Sequence, residues 1–590
     1  MKSLEIYYKH NNNNNNNNCY YYYYYIQAMC IQGSVDISKA AKESGLNNDF
    51  AEKMSTLGTG GKHRGNLERD FLRDAKTRLG VPFDVCMVPN IVKDSLNITK
   101  DLEIGVLLPY EVAHLVYAYN RPKFGELFDK TRIIKYWQRA IVDDLQWFRE
   151  HPMYETIRSS DTAGLSKYLP LHIFGDDGTL KKSRAMAVIT WFSAVYTSLN
   201  AVESRVPFYT LPRHILVPDY TENELQRVLV WSFSIWLTGV FPTCDWKGNP
   251  WPRNSLRALL GERREQIAGG HIGVYTATIC DQLWGKQHYR LEHNWAAANV
   301  CGRCDAINGA GPKNFLNVDG FVLRCCSEYL TSDAGLSSPL AEMPGFGLYS
   351  LVGEAMHAGP LGVLLDVAAY NLIDLCFAGI FGDFGEVTTW ADRLQFQLNA
   401  AFVVFSAWAK REVQQHTIRK FGRRGFSMEN LTSWPEFKGK AHNTLVLIRW
   451  LERAMFEVKD HLHLGVLKSQ VLWGWVEWFS VCLAADPDFL EPDEIARLAV
   501  ATNLCILGHK RLASDCEAAG VWRWKARPKI HIFYHVLQDV SETRRNPRAW
   551  WSFKDEECMG RLARIACCVH AVTVANRTLQ RWCVQFYNSD

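Results

Sequence analysis

At 590 residues the chain is too long for one simple core, and its length suggests about three or four domain-sized units. Its 47% hydrophobic and 22% charged residues are ordinary for a globular protein and exclude a wholly disordered or fibrous chain. A formal charge of +4 is nearly neutral for this size, so bulk charge does not announce a nucleic-acid partner, although a local basic groove remains open.

The 21 Trp residues imply large buried aromatic clusters, because each ring removes much apolar area from water. The 17 Cys residues are odd in number and irregularly spaced. The N-terminus lacks a basic region followed by an apolar core. The expectation is reduced thiols in a nuclear or cytoplasmic protein that is not secreted. The longest apolar stretches are 228–241 and 361–381. The first is too short for a bilayer and the second carries Asp366, Asn371 and Asp374, so both read as core helices and no membrane partner is expected.

Residues 1–80 hold an Asn run (11–18), a Tyr run (20–25) and a charged, Gly-rich stretch. Homopolymer runs present no amphipathic face, so this segment reads as a disordered, low-complexity lead-in. Residues 81–160 read as an N-terminal helical unit: Leu108-Pro109-Tyr110-Glu111 opens a helix, and Ile134, Trp137, Ile141 and Leu145 recur on one face of another. From 161 the signals alternate. Strands are expected at 169–174, 186–196, 214–218 and 271–279, with a helix at 222–240, which is an α/β arrangement around one sheet. That unit runs to 385, ending in a long helix candidate after Gly345-Phe346-Gly347. Residues 386–520 read as an all-α block, with apolar residues at helical spacing in 392–410, 441–458, 467–485 and 493–508. Residues 521–590 close the chain with a strand or helix start at 529–537 and one long helix over 555–586.

Three acidic places stand out. Leu169-Pro170-Leu171-His172-Ile173-Phe174 is an apolar strand that runs into Gly175-Asp176-Asp177-Gly178. Carboxylates there sit at a strand end, where open sheets bind ligands, or serve only an Asp-Gly turn. Glu354 and His357, three residues apart, share one face if helical. Asp555-Glu556-Glu557 opens the terminal helix, where acids are also stabilised by the helix dipole alone. A metal-dependent phosphoryl-transfer site needs carboxylates converging from separate elements, and these three places in this order satisfy that need.

Taken as a set, several segments carry a resemblance. They are Leu-Pro-Tyr-Glu-Val (108–112), Leu-Pro-Leu-His-Ile-Phe-Gly-Asp (169–176), His-Asn-Trp-Ala-Ala-Ala-Asn-Val-Cys-Gly-Arg-Cys-Asp-Ala (293–306), Met-His-Ala-Gly-Pro-Leu-Gly-Val (356–363), Arg-Pro-Lys-Ile-His (527–531) and Asn-Pro-Arg (546–548) with Lys-Asp-Glu-Glu-Cys-Met-Gly-Arg (554–561). Over roughly 105–590 the chain resembles a transposon-derived family of dinoflagellate genomes, itself similar to DDE transposases. That resemblance implies an α/β fold: an RNase H-like mixed-sheet core (161–385 and 521–590) interrupted by the all-α insertion (386–520). It implies DNA as partner, a candidate homo-oligomer, and Mg2+- or Mn2+-dependent DNA strand cleavage and transfer. Asp176, Glu354 and Glu556 would be the catalytic metal ligands. Glu354 stands where the family has Asp, and the added methylene moves the carboxylate by more than about an ångström, a misplacement that can cost about 100-fold in rate. The alternative is therefore a catalytically inactive DNA- or protein-binding relic. Asp366 is a substitute ligand to consider.

Cys301-x-x-Cys304 is half of a structural zinc site, and His288 and His293 are candidates to complete it, with Cys325-Cys326 as replacements. Two basic groups are candidate phosphate contacts: Lys410, Arg411, Arg419, Lys420, Arg423 and Arg424, and the alternating Arg523, Lys525, Arg527 and Lys529. His531 and His535, four apart, read as structural, or as helping to orient a phosphate near the final acid.

Overall fold

The computed structural model describes residues 85–587 apart from 95, 182–183, 196–200, 292–297, 302–303, 310, 318–337, 348–349, 384, 386–388, 568 and 570–572. The low-complexity lead-in therefore lies outside the described residues, as do His293 and Cys325-Cys326.

The helical expectation for 81–160 fails at its start. Strands β1 (Cys86–Lys93) and β2 (Thr99–Val106) form an antiparallel hairpin there. In β1 the buried residues Cys86, Val88, Asn90 and Val92 alternate with more exposed ones, the period of two that a strand imposes. Asp94 closes the turn by accepting from the Leu96 and Ile98 N–H groups. Helices α1 (Pro109–Tyr119) and α2 (Lys130–Val142) then follow as the apolar spacing requires, α1 with Pro at its first position.

The central sheet has five strands: β3 (Tyr168–Lys181), β4 (Arg184–Ser193), β5 (Val206–Pro212), β6 (Ile272–Cys280) and β7 (Leu351–Gly353). Their order is β5-β4-β3-β6-β7. The β3–β4 and β4–β5 pairs are antiparallel, while β3–β6 and β6–β7 are parallel. The strand expected at 214–218 lies instead at β5, and Arg213–Ile215 is a 3-10 turn. β3 also continues through Gly175-Asp176-Asp177-Gly178, paired to β4 throughout, so no Asp-Gly turn exists there. Its parallel neighbour β6 stops at Cys280, opposite Gly175. Asp176 is therefore the first β3 residue beyond the end of β6.

Helix α3 (Thr221–Thr238) packs on β6 and ends at Gly239, whose φ of +72° closes the helix in the left-handed region. Helix α4 (Gln282–Tyr289) follows β6 directly. After β7 come a short helical turn at Ala355–Ala358, a π turn at Gly359–Val363 and helix α5 (Leu364–Phe377). The run Ala355–Phe377 is apolar and long enough to cross a bilayer, but 78% of its most apolar window is buried inside the protein. It is a core element here.

The α-helical block comprises α6 (Trp390–Arg411), α7 (Ala441–Val458), α8 (Gly465–Ala484) and α9 (Pro492–Ala518). Glu491 and Glu494 form a reciprocal capping box at the start of α9. The closing segment carries α10 (Lys529–Thr543), α11 (Phe553–Cys567) and α12 (Val574–Tyr587), so the expected single terminal helix is two helices. α11 packs on β3 and α12 on β5, which returns the end of the chain to the sheet. One continuous apolar core joins all of these elements, with Trp137, Trp191, Trp236, Trp475, Trp478, Trp524, Trp550 and Trp582 fully buried.

Candidate active site

Strand alternation sorts the acidic stretch onto two faces. Gly175 and Asp177 face α3 and α4. A Cβ on Gly175 would overlap the Trp284 indole of α4, so only glycine lets that ring lie against the strand. Asp177 pairs with Arg213 at 2.7 Å, and Arg213 also reaches Glu222 of α3 at 3.2 Å. Asp176 and Gly178 face α11, whose Met559 lies against Gly178.

The same logic separates the three acids of α11, since successive helical residues point about 100° apart. Asp555 is fully buried and bound by Arg205 through two hydrogen bonds of 2.6 and 3.1 Å. Glu557 pairs at the surface with Arg561. Glu556 turns towards Asp176. The carboxylates of Asp176 and Glu556 and the imidazole of His357 each place one donor atom within 4.8 Å of the others.

Glu354 is not the middle acid of this group. It is 3% exposed, and both of its oxygens are occupied. Oε1 accepts from the N–H of Met356 (2.8 Å) and of Ser552 (3.0 Å); Oε2 accepts from the N–H of His357 (2.6 Å) and from its Nδ1 (2.7 Å). It is the N-cap of the Ala355–Ala358 turn and also meets the chain entering α11. Burial would raise this carboxyl, but the hydrogen bond and charge of His357 and the surrounding N–H groups outweigh burial and hold it below the ordinary range. Held this way through Nδ1, His357 directs Nε2 at Glu556 Oε1, 3.5 Å away. Burial opposes the His357 charge, but Glu354, Glu556 and Asp176 more than offset it, so its titration moves well above the ordinary histidine range.

The acid that sequence order missed is Asp281. It directly follows Cys280, the β6 residue opposite Gly175, so Asp281 leaves the end of β6 beside Asp176, the next residue along β3. Burial, and next the charge of Asp281, push the Asp176 carboxyl up to about 8, against His357 and a 2.7 Å hydrogen bond from the Asp177 N–H. Asp281 also caps α4, accepting from the Trp284 N–H at 2.6 Å. An acid one residue past an apolar strand is the signal that would have found it, the same signal that marks Asp176. Lys529, the first residue of α10, is half-buried; burial lowers its titration and the Asp281 charge raises it.

The other expected residues divide. Asp366 is buried and held by Arg527, and it is not among the side chains that converge with Asp176 and Glu556. Arg527 reaches Glu436 as well, and Arg523 is buried against Asp374, which also binds Lys468 at 2.7 Å. These two arginines serve internal ion pairs rather than an exposed phosphate-binding row. Lys410, Arg411, Arg419, Lys420, Arg424 and Lys525 are exposed, and Arg423 lies 5.4 Å from the Trp390 ring. His288 is a core residue: it stacks on Trp284 and bonds Gln226 at 2.7 Å, and burial lowers its titration to about 3. It does not join Cys301 and Cys304. Those thiols meet His531 and His535 instead.

No protein-family model matches the chain, and no curated protein matches it.

Proposed function

We propose that the chain is a transposase-like, divalent-metal-dependent DNA strand-cleaving and strand-transferring enzyme on an RNase H-like core. The observation that carries this reading is the convergence of Asp176, Glu556 and His357, from a central strand, the closing helix and the turn after β7. Further support comes from the strand order β5-β4-β3-β6-β7 with β4 antiparallel, which is the order an RNase H-like sheet requires. An acid in β3, another just past its parallel neighbour β6 and a third on α11, which packs over β3, agree with the same reading.

The donors fit a hard divalent cation. Asp176, Asp281, Glu354 and Glu556 gather near His357 and Lys529, and burial with the Asp281 charge holds a proton on Asp176 that a divalent cation would displace. Asp176 and Glu556 would hold the ion with Asp281 alongside, and His357 Nε2 would complete the set on giving up its proton to make room for the cation. A bound ion would polarise a phosphate oxygen and acidify an attacking water or hydroxyl. Glu354 keeps the proton on His357 Nδ1 and orients the ring, a positioning role. Because an imidazole is among the donors, Mn2+ should serve at least as well as Mg2+. The main ground for an inactive relic is a misplaced middle carboxylate, and with Glu354 capping a helix the middle place falls to Asp281.

A nicking assay on supercoiled DNA with Mn2+ or Mg2+ tests this. Activity should appear in the wild type and fall to background in Asp176→Ala, Asp281→Asn and Glu556→Gln. Wild-type protein that binds DNA but nicks it with neither ion would leave the inactive-relic reading standing instead.

A further inference from the structure

Among the described residues a second group of ligating side chains lies outside the acidic site. Cys301 and Cys304 sit on a tight loop between α4 and β7, closed by the Val300 N–H bonding the Ala306 carbonyl at 3.1 Å. His531 and His535 lie four apart on α10 and so share one face. All four are buried, and their sulfur and nitrogen atoms lie within 4.8 Å of one another. Cys301 Sγ is 3.2 Å from His535 Nε2, and Cys304 Sγ is 3.1 Å from His531 Nε2.

The geometry points to a structural zinc site made of Cys301, Cys304, His531 and His535. Two thiolates and two imidazoles are a complete tetrahedral set, and a set with no open position is structural rather than catalytic. The surroundings are those of ligands already oriented. Gln538 Oε1 lies 2.5 Å from His535 Nδ1, which places the proton there and turns the Nε2 lone pair towards the sulfurs. An ion here would staple the 298–317 loop to a helix more than two hundred residues later in the chain. That helix, α10, packs against β7, the Ala355–Ala358 turn that carries His357 and the π turn after it, and it begins with Lys529. The staple would thus fix the backing of the acidic site without touching it.

The zinc site does not rest on the phosphoryl-transfer reading, and its test needs no activity. Full-length protein prepared without chelator is analysed for metal by mass spectrometry, then exchanged with Co2+. About one zinc per chain is expected, together with the visible bands and thiolate charge-transfer absorption of tetrahedral Co2+. These bands should persist in Asp176→Asn and be lost or shifted in Cys304→Ser and His535→Gln. Folded wild-type protein without stoichiometric zinc and without tetrahedral Co2+ absorption would overturn the proposal, even if both variants failed to fold. So would a spectrum unchanged by both substitutions.

Discussion

Glu354 and His357 show how one buried residue sets what another can do. The carboxylate uses four hydrogen bonds to hold the turn, the start of α11 and the imidazole. Glu354→Gln keeps much of the shape but replaces one oxygen by an NH2 group, which cannot accept from an N–H. Nicking should fall by about 100-fold through misplacement of His357, with Mn2+ affinity reduced less than in Glu556→Gln. Isothermal titration of Mn2+ beside initial rates separates the two effects. Equal loss of Mn2+ affinity in both variants would mean that Glu354 is itself a ligand. A second residue-scale prediction concerns His509, buried on α9 with Nε2 donating to the Lys525 carbonyl at 3.1 Å. Burial lowers its titration to about 4, against the opposing effect of its backbone acceptors. Below the ordinary histidine value of about 6.5 the unfolded chain therefore binds a proton that the folded chain refuses, and stability is lost as pH falls towards 4. The wild type should lose about 2 kcal/mol more than His509→Asn between pH 7 and pH 5 in urea unfolding. Parallel stability curves for the two proteins would exclude this role.

At the scale of elements, α11 does most to build the site, because its three consecutive acids have three fates. Asp555 locks the helix to Arg205, whose guanidinium also lies 3.6 Å from the Phe192 ring centroid. Asp555→Ala would leave that arginine buried and unpaired, at a cost of about 3–5 kcal/mol in unfolding free energy. Glu557→Ala, at the surface, should cost less than about 1 kcal/mol. Denaturant titrations of the pair check the contrast, and comparable losses would contradict the assigned directions. The acids at the start of α11 and the apolar strand before Asp176 were both legible in the sequence, since composition and periodicity report local structure. The splitting of the expected terminal helix and the length of β3 were not. Gly175-Asp176-Asp177-Gly178 has turn composition, yet the β4 ladder holds it extended, and Gly175 is there because Trp284 needs the space.

For the whole molecule, folding is what brings Asp176, Glu556 and His357 together, so a cation bound there as proposed should stabilise the fold. Saturating Mn2+, at about 100 times its dissociation constant, should add about 2.7 kcal/mol, visible as a rise in the thermal midpoint that Asp176→Ala abolishes. An equal rise in that variant would place the ion elsewhere.

By itself the sequence determined the mixed α/β class with its all-α block, marked Asp176 and Glu556 as candidate acids, and showed a thiol pair waiting for partners. Those features follow from hydrophobic period, strand-end acids and short-range spacing, all of which are local. The tertiary structure alone decided which distant groups meet: Asp281 beside Asp176, Glu354 as the holder of His357, and His531 with His535 beside Cys301 and Cys304. Those meetings depend on strand register, helix packing and side-chain direction, none of which is carried by the order of residues along the chain.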